Sequence, residues 1–213
     1  MKTAIKICGI STLEALDAAI EARADFIGLV FFPPSPRHVD GHAASALAMR
    51  AADRIGRVGL FVDADDALIA EGIKAGRLEA LQLHGEETPA RVAQVKERFQ
   101  LPVWKAVSVA TSEDVTRAES YRDAADLILF DAKTPKDAAL PGGMGLSFDW
   151  SLLDGWKGRP GWGLAGGLRV DNVAEAIVRT AAPLVDTSSG VESAPGVKDA
   201  GLISQFCRVA RAA

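Results

Sequence analysis

The sequence predicts a single-domain (β/α)8 barrel spanning residues 1–213, and three observations lead to it. Short, β-branched apolar runs alternate with amphipathic, alanine-rich stretches from end to end. Eight such pairs fit the chain at roughly 27 residues each, near the lower size limit of that fold. The glycine-rich turns follow the late strands, whereas an open doubly wound sheet usually carries its glycine-rich turn after the first. Strands joined through helices run parallel, because each crossover returns the chain to the same end. No Ser/Gly linker or charge run divides the chain.

The first unit is AIKIC (4–8) followed by STLEALDAAIEARA (11–24). Leu13, Leu16, Ala19 and Ile20 recur there at helical spacing, with Ser11 the expected N-cap. The next four strands are FIGLVF (26–31), RVGLFV (57–62), LEALQL (78–83) and VWKAVSV (103–109). Their helices are AASALAMRAAD (43–53), ADDALIAEGIKAG (64–76), ETPARVAQVKERF (87–99) and TSEDVTRAESYRD (111–123). DLILFD (126–131) leads to FDWSLLDG (148–155), GWGLAG (161–166) to VDNVAEAIVRTAA (170–182), and LVDTSS (184–189) to DAGLISQFCRVARA (199–212). Leu202, Phe206 and Val209 repeat the amphipathic pattern in the last helix, with Cys207 beside them as a core residue.

A net charge of -4 gives no general attraction to nucleic acid or to anionic membranes, so an anionic ligand needs a local site. Two cysteines, Cys8 and Cys207, cannot build a disulfide framework and have no zinc-site spacing, which suits a reduced, cytoplasmic protein. Lys2 and Lys6 are not followed by the apolar stretch of a signal peptide, and no apolar run approaches the roughly 18 residues of a membrane helix. A monomer is expected, with a homodimer as the alternative.

Strand alternation picks out the residues that can do chemistry. Ile5 and Ile7 face the helices, so Ala4, Lys6 and Cys8 face the barrel axis, and Cys8 ends its strand at the C-terminal rim where barrel enzymes place their sites. In DLILFDAK, Ile128 and Phe130 face outward, and Leu127, Leu129 and Asp131 face inward. A rim carboxyl behind an apolar strand is a helix cap, a loop ion pair, or a buried acid able to donate a proton near neutral pH. Three prolines in FFPPSPRHVD stiffen the loop that carries Arg37, whose guanidinium can grip a carboxylate bidentately. A solvated arginine is the alternative. His84 ends the fourth strand at the rim, as a substrate contact or a structural hydrogen-bonder, while His38 and His42 read as surface residues.

LAGGLRVDNV and VDTSSGVES follow the seventh and eighth strands. Loops in those places commonly cradle a phosphate, and Gly166, Gly167, Ser188, Ser189 and Gly190 supply close backbone approach and donors without bulk. PGGMG (141–145) reads as a flap over the site or as a slack connection. Lys6 could neutralise substrate charge, favour a thiolate, or pair with a buried carboxylate. Trp104, Trp150, Trp156 and Trp162 read as packing groups.

These motifs together resemble one family. KICGI, FFPPSPRHV, LQLHG, LILFDAK, PGGMGLSFDW, LAGGL and VDTSSGVE run in the order found in the phosphoribosylanthranilate isomerases, from residue 6 to residue 192. The resemblance implies a (β/α)8 barrel that converts N-(5-phosphoribosyl)anthranilate to 1-(2-carboxyphenylamino)-1-deoxyribulose 5-phosphate without metal or organic cofactor. It makes Cys8 the general base, Asp131 the general acid and Arg37 the contact to the anthranilate moiety. Gly166, Gly167, Ser188, Ser189 and Gly190 become the phosphate loops, and Asp186 a residue that positions the sugar. The chain departs from the family at Met144, where a small hydroxyl residue is usual, at Leu146, where a lysine is frequent, and at LRVDNV, where a proline is common. The rivals are a histidine-pathway type of phosphosugar isomerase, which has an aspartate in place of Cys8, and a non-catalytic barrel that binds a phosphorylated metabolite.

Overall fold

A computed structural model of the chain describes residues 3–133, 145–156 and 161–213. Eight parallel strands close into a barrel: β1 (Ala4–Cys8), β2 (Phe26–Val30), β3 (Gly56–Phe61), β4 (Ala80–Leu83), β5 (Val103–Val109), β6 (Leu127–Ala132), β7 (Trp162–Leu164) and β8 (Leu184–Thr187). The ring is closed by β8 against β1, with Ala4 opposite Leu184 and Lys6 opposite Asp186. The last two strands are shorter than their apolar runs, because Gly166 and Ser188 leave the sheet to form the rim loops.

Around the barrel lie α1 (Leu13–Glu21), α2 (Gly41–Ala51), α3 (Asp66–Gly76), α4 (Pro89–Phe99), α5 (Ser112–Ala118), α6 (Val173–Thr180) and α7 (Ala200–Ala212). No helix among the described residues is long and apolar enough to cross a membrane. The stretch expected as a helix over 148–155 is instead a 3-10 helix, Trp150–Trp156. It is held by packing rather than by length: Trp156 meets Phe130 edge-on at 4.9 Å, and Phe130 in turn meets Trp162 at 6.0 Å. A short antiparallel pair, β9 (Glu192–Ala194) and β10 (Val197–Lys198), follows β8.

Two details of α1 differ from expectation. Its N-cap is Thr12, not Ser11, because Thr12 holds the extended backbone that lets its hydroxyl accept from Ala15 N at 3.2 Å. Leu13, at the first helical position, is 45 % exposed; the buried face begins at Ala15 and Leu16, a turn further on.

The period-2 reading of the strands holds. Ile5, Ile7, Ile128 and Phe130 join the large apolar layer between barrel and helices. Val58, Ala80, Trp104, Ala106, Leu129, Ala165 and Leu184 fill the barrel interior, and Cys8, Val30 and Leu60 form a separate apolar group. The fully buried Trp162, Phe61 and Phe206 each contribute about 1.5–3 kcal/mol by leaving water. Cys207 is buried on α7, as its helical position requires.

Candidate active site

The strand ends converge on a cavity of about 770 Å³, open to solvent. Cys8, Arg37, His84, Asp131, Gly166, Gly167, Asp186, Ser188 and Ser189 all line it. Gly190 does not.

Cys8 closes β1 and is 5 % exposed, with Gly9 next in a left-handed conformation at φ 78°. The glycine is required by a close approach: a Cβ there would stand 2.6 Å from the Cδ of Arg37. The arginine stem therefore lies across the end of β1. Lys6, one pleat below Cys8, is fully buried and donates to Asp186 Oδ2 at 2.9 Å. Of the three roles open to Lys6 from sequence, pairing with a buried carboxylate is present.

The charges shift one another. Burial raises the Cys8 thiol above the ordinary cysteine range, with Asp186 acting in the same sense and Lys6 against it. Lys6 lowers the thiol, but less than burial raises it. Burial likewise raises the Asp186 carboxyl, against the pull of Lys6. For Lys6 burial works downward, but Asp186 and Cys8 outweigh it and hold the ammonium above its usual value.

Asp131 stands at the inward end of β6, and its Oδ1 accepts from Ala132 N at 2.8 Å. His84 lies beside it, Nε2 to Oδ2 3.1 Å, at ion-pair distance but out of line for a good hydrogen bond. The other ring nitrogen, Nδ1, meets Gln82 Nε2 at 3.2 Å. His84 is thus a neighbour of the acid as well as a wall of the cavity. Gln82 was not singled out from sequence, although its inward position on β4 follows from the same alternation.

Arg37 is buried, not solvated, and its fork is engaged by an ion pair. Nε and Nη2 donate to the two carboxylate oxygens of Glu192, at 2.7 and 2.8 Å. Lys198 shares that carboxylate at 2.6 Å, and its Nζ also donates to Ser188 O at 2.9 Å and to Ser188 Oγ at 3.2 Å. Burial works to raise the Glu192 carboxyl, but Arg37 and Lys198 prevail and lower it. Burial lowers the Lys198 ammonium. Glu192 falls inside the VDTSSGVE motif, which could have drawn attention to it; nothing in the sequence marks Lys198.

The loops after β7 and β8 meet over the other side of the mouth. Gly166 and Gly167 are left-handed, with φ 82° and 63°, and a Cβ on Gly167 would meet Leu146 O at 2.6 Å. Leu146 thus touches the loop through its backbone, so the missing family lysine leaves this contact intact. Met144 and most of PGGMG fall outside the described residues. Asn172 takes up part of the LRVDNV departure: its Oδ1 accepts from Arg169 N at 2.8 Å and its Nδ2 donates to Gly167 O at 3.0 Å.

Gly190 acts from behind. A Cβ on it would stand 1.9 Å from Leu168 O, and Thr187 Oγ1 donates to that same carbonyl at 2.7 Å. Gly190→Ala is expected to lower stability by about 1–3 kcal/mol through overpacking. A thermal-unfolding midpoint equal to that of the unchanged protein would contradict this packing.

Among the described residues no group of three or more His, Cys, Asp or Glu side chains is placed to hold a metal ion.

Comparison with known proteins gives a consistent result. The family profile described as N-(5'phosphoribosyl)anthranilate (PRA) isomerase matches residues 5–209. An N-(5'-phosphoribosyl)anthranilate isomerase of Bradyrhizobium sp. (strain ORS 278) is 52% identical over 213 residues, covering 100% of this chain and 97% of its own length. The crystal structure of phosphoribosyl anthranilate isomerase from Thermotoga maritima superposes with a TM-score of 0.89 at 37% identity, covering 99% of this chain and 100% of its own. A further isomerase structure, in complex with reduced 1-(o-carboxyphenylamino)-1-deoxyribulose 5-phosphate, gives a TM-score of 0.86 at 35% identity, with 99% and 100% covered.

Proposed function

The chain belongs to the N-(5'-phosphoribosyl)anthranilate isomerase family, and we propose that within its barrel Cys8 is the general base and Asp131 the general acid. The enzyme isomerises N-(5-phosphoribosyl)anthranilate to 1-(2-carboxyphenylamino)-1-deoxyribulose 5-phosphate, a step of tryptophan biosynthesis. One observation carries the assignment of roles. A thiol ending β1 and a carboxyl ending β6 face one cavity from separate sides of the ring, so a single sugar can lie between them.

The reaction needs an acid first. As the anilinic nitrogen pushes the ring open, Asp131 gives its proton to the departing ring oxygen and an iminium forms at C1. The iminium acidifies C2, and the Cys8 thiolate removes the C2 proton. The C–H electron pair becomes the C1–C2 double bond of an enolamine, which tautomerises to the ketone. His84, a wall of the cavity beside Asp131, contacts the substrate. Gly166, Gly167, Ser188 and Ser189 hold the phosphate, and Gly190 serves by keeping their two loops in contact. Asp186 positions the sugar, and Arg37, steadied by Glu192, takes the anthranilate carboxylate.

One chain supplies every one of these residues, so a monomer suffices. The two unpaired thiols suit a reduced cytoplasm.

The test is turnover of phosphoribosylanthranilate by the purified protein, followed as loss of substrate fluorescence; no turnover overturns the reading. Arg37→Ala is expected to weaken binding of an anthranilate-bearing ligand by about 1.5–3 kcal/mol, the worth of a charged hydrogen bond. Inorganic phosphate affinity is expected to stay unchanged, and equal losses for both ligands contradict the role given to Arg37.

A further inference from the structure

Beneath the thiol the barrel holds one cation between two groups that can each become an anion. Lys6 Nζ lies 2.9 Å from Asp186 Oδ2, and its charge also acts on the Cys8 thiol, one pleat above it. Gly28, opposite Cys8 on β2, leaves the space for this, since a Cβ there would stand 2.7 Å from Cys8 Sγ and 3.2 Å from Lys6 Nζ. Asp186 Oδ1 is buried without a hydrogen-bond partner among the described residues. Lys198 on β10 adds a more distant positive charge toward Cys8, and Asp131 and His84 act on Asp186. A site this dry does not hold two anions against one close ammonium without cost.

Resting on the reading of Cys8 as the base, we propose that Lys6 is a positioning residue that serves both partners in turn, as counter-ion of Asp186 at rest and of the Cys8 thiolate in the reacting enzyme. The exchange balances. Lys6 Nζ passes a proton to Asp186 Oδ2 and takes the proton of the thiol, so Lys6 stays charged, Asp186 becomes neutral and sulfur becomes the anion. The positive iminium formed on the substrate favours that arrangement. The thiolate then takes the C2 proton and is a thiol again. Asp186 now carries one extra proton and Asp131 lacks one; transfer through water at the mouth restores both.

The experiment follows alkylation of Cys8 by iodoacetamide against pH, read peptide by peptide by mass spectrometry. Cys207 is told apart by its peptide and by its thiol, pushed up to about 11 by burial. Asp186 raises the thiol, so Asp186→Asn should lower the pH midpoint of Cys8 alkylation, by about 1–3 units for a neighbouring charge. In the double variant Lys6→Met/Asp186→Asn, which removes both charges together and leaves neither buried alone, the fall should vanish. An unchanged or higher midpoint in Asp186→Asn, or an equal fall in the double variant, overturns the shared counter-ion. Because alkylation is read without turnover, failure here is separate from failure of Cys8 as the base, which the turnover of Cys8→Ser decides.

Discussion

Replacing Cys8 with serine is expected to lower kcat by about 10²–10⁴-fold, the usual contribution of a positioned general base, while affinity for the substrate stays close to that of the unchanged enzyme. The hydroxyl is nearly the same size, so the cavity keeps its shape. It is too weak a base to take a carbon-bound proton, even from a carbon next to an iminium. Lys6 and Asp186 remain paired below it, and Arg37 still lies across Gly9, so the binding surfaces are undisturbed. Steady-state turnover together with equilibrium binding of a product analogue measures both halves. A serine variant that turns over at the normal rate removes the thiol from the mechanism.

Asp131→Asn should cost a similar factor for a different reason. The amide oxygen can still accept from Ala132 N, as the carboxyl does at 2.8 Å, so the end of β6 keeps its place. What is lost is a transferable proton, and the ring oxygen must then leave without one. The loss should fall on kcat, about 10²–10⁴-fold, with little change in binding. A substrate analogue already opened to the chain form would separate the steps, because it no longer needs the acid. If Asp131→Asn slows the closed and the open substrate equally, the carboxyl does not serve ring opening.

The two groups differ in how far their surroundings could be anticipated. Alternation along AIKIC and LILFD was enough to send Cys8 and Asp131 inward at the rim, and both line the cavity. The Gly-Gly and Ser-Ser turns were likewise legible, because glycine with positive φ and small hydroxyl residues leave a local mark. Gly190 shows the limit of such marks. It sits in the motif yet serves by pressing on Leu168 rather than by lining the cavity. The helix expected over 148–155 failed because eight residues with an apolar stripe satisfy either helix type, and packing against Phe130 made the choice.

By itself the sequence determined the order of strands and helices, the closing of eight units into a ring, and which side of each strand meets the axis. All of these follow from local periods of 2 and 3.6 residues and from chain length. Only the tertiary structure decided the charge partners. Lys6 and Asp186 are 180 residues apart along the chain, and Arg37 and Glu192 are 155 apart. Burial forces each buried charge to find an opposite one, but it does not say which one. That choice was made when β8 closed on β1 and brought the ends of the chain together.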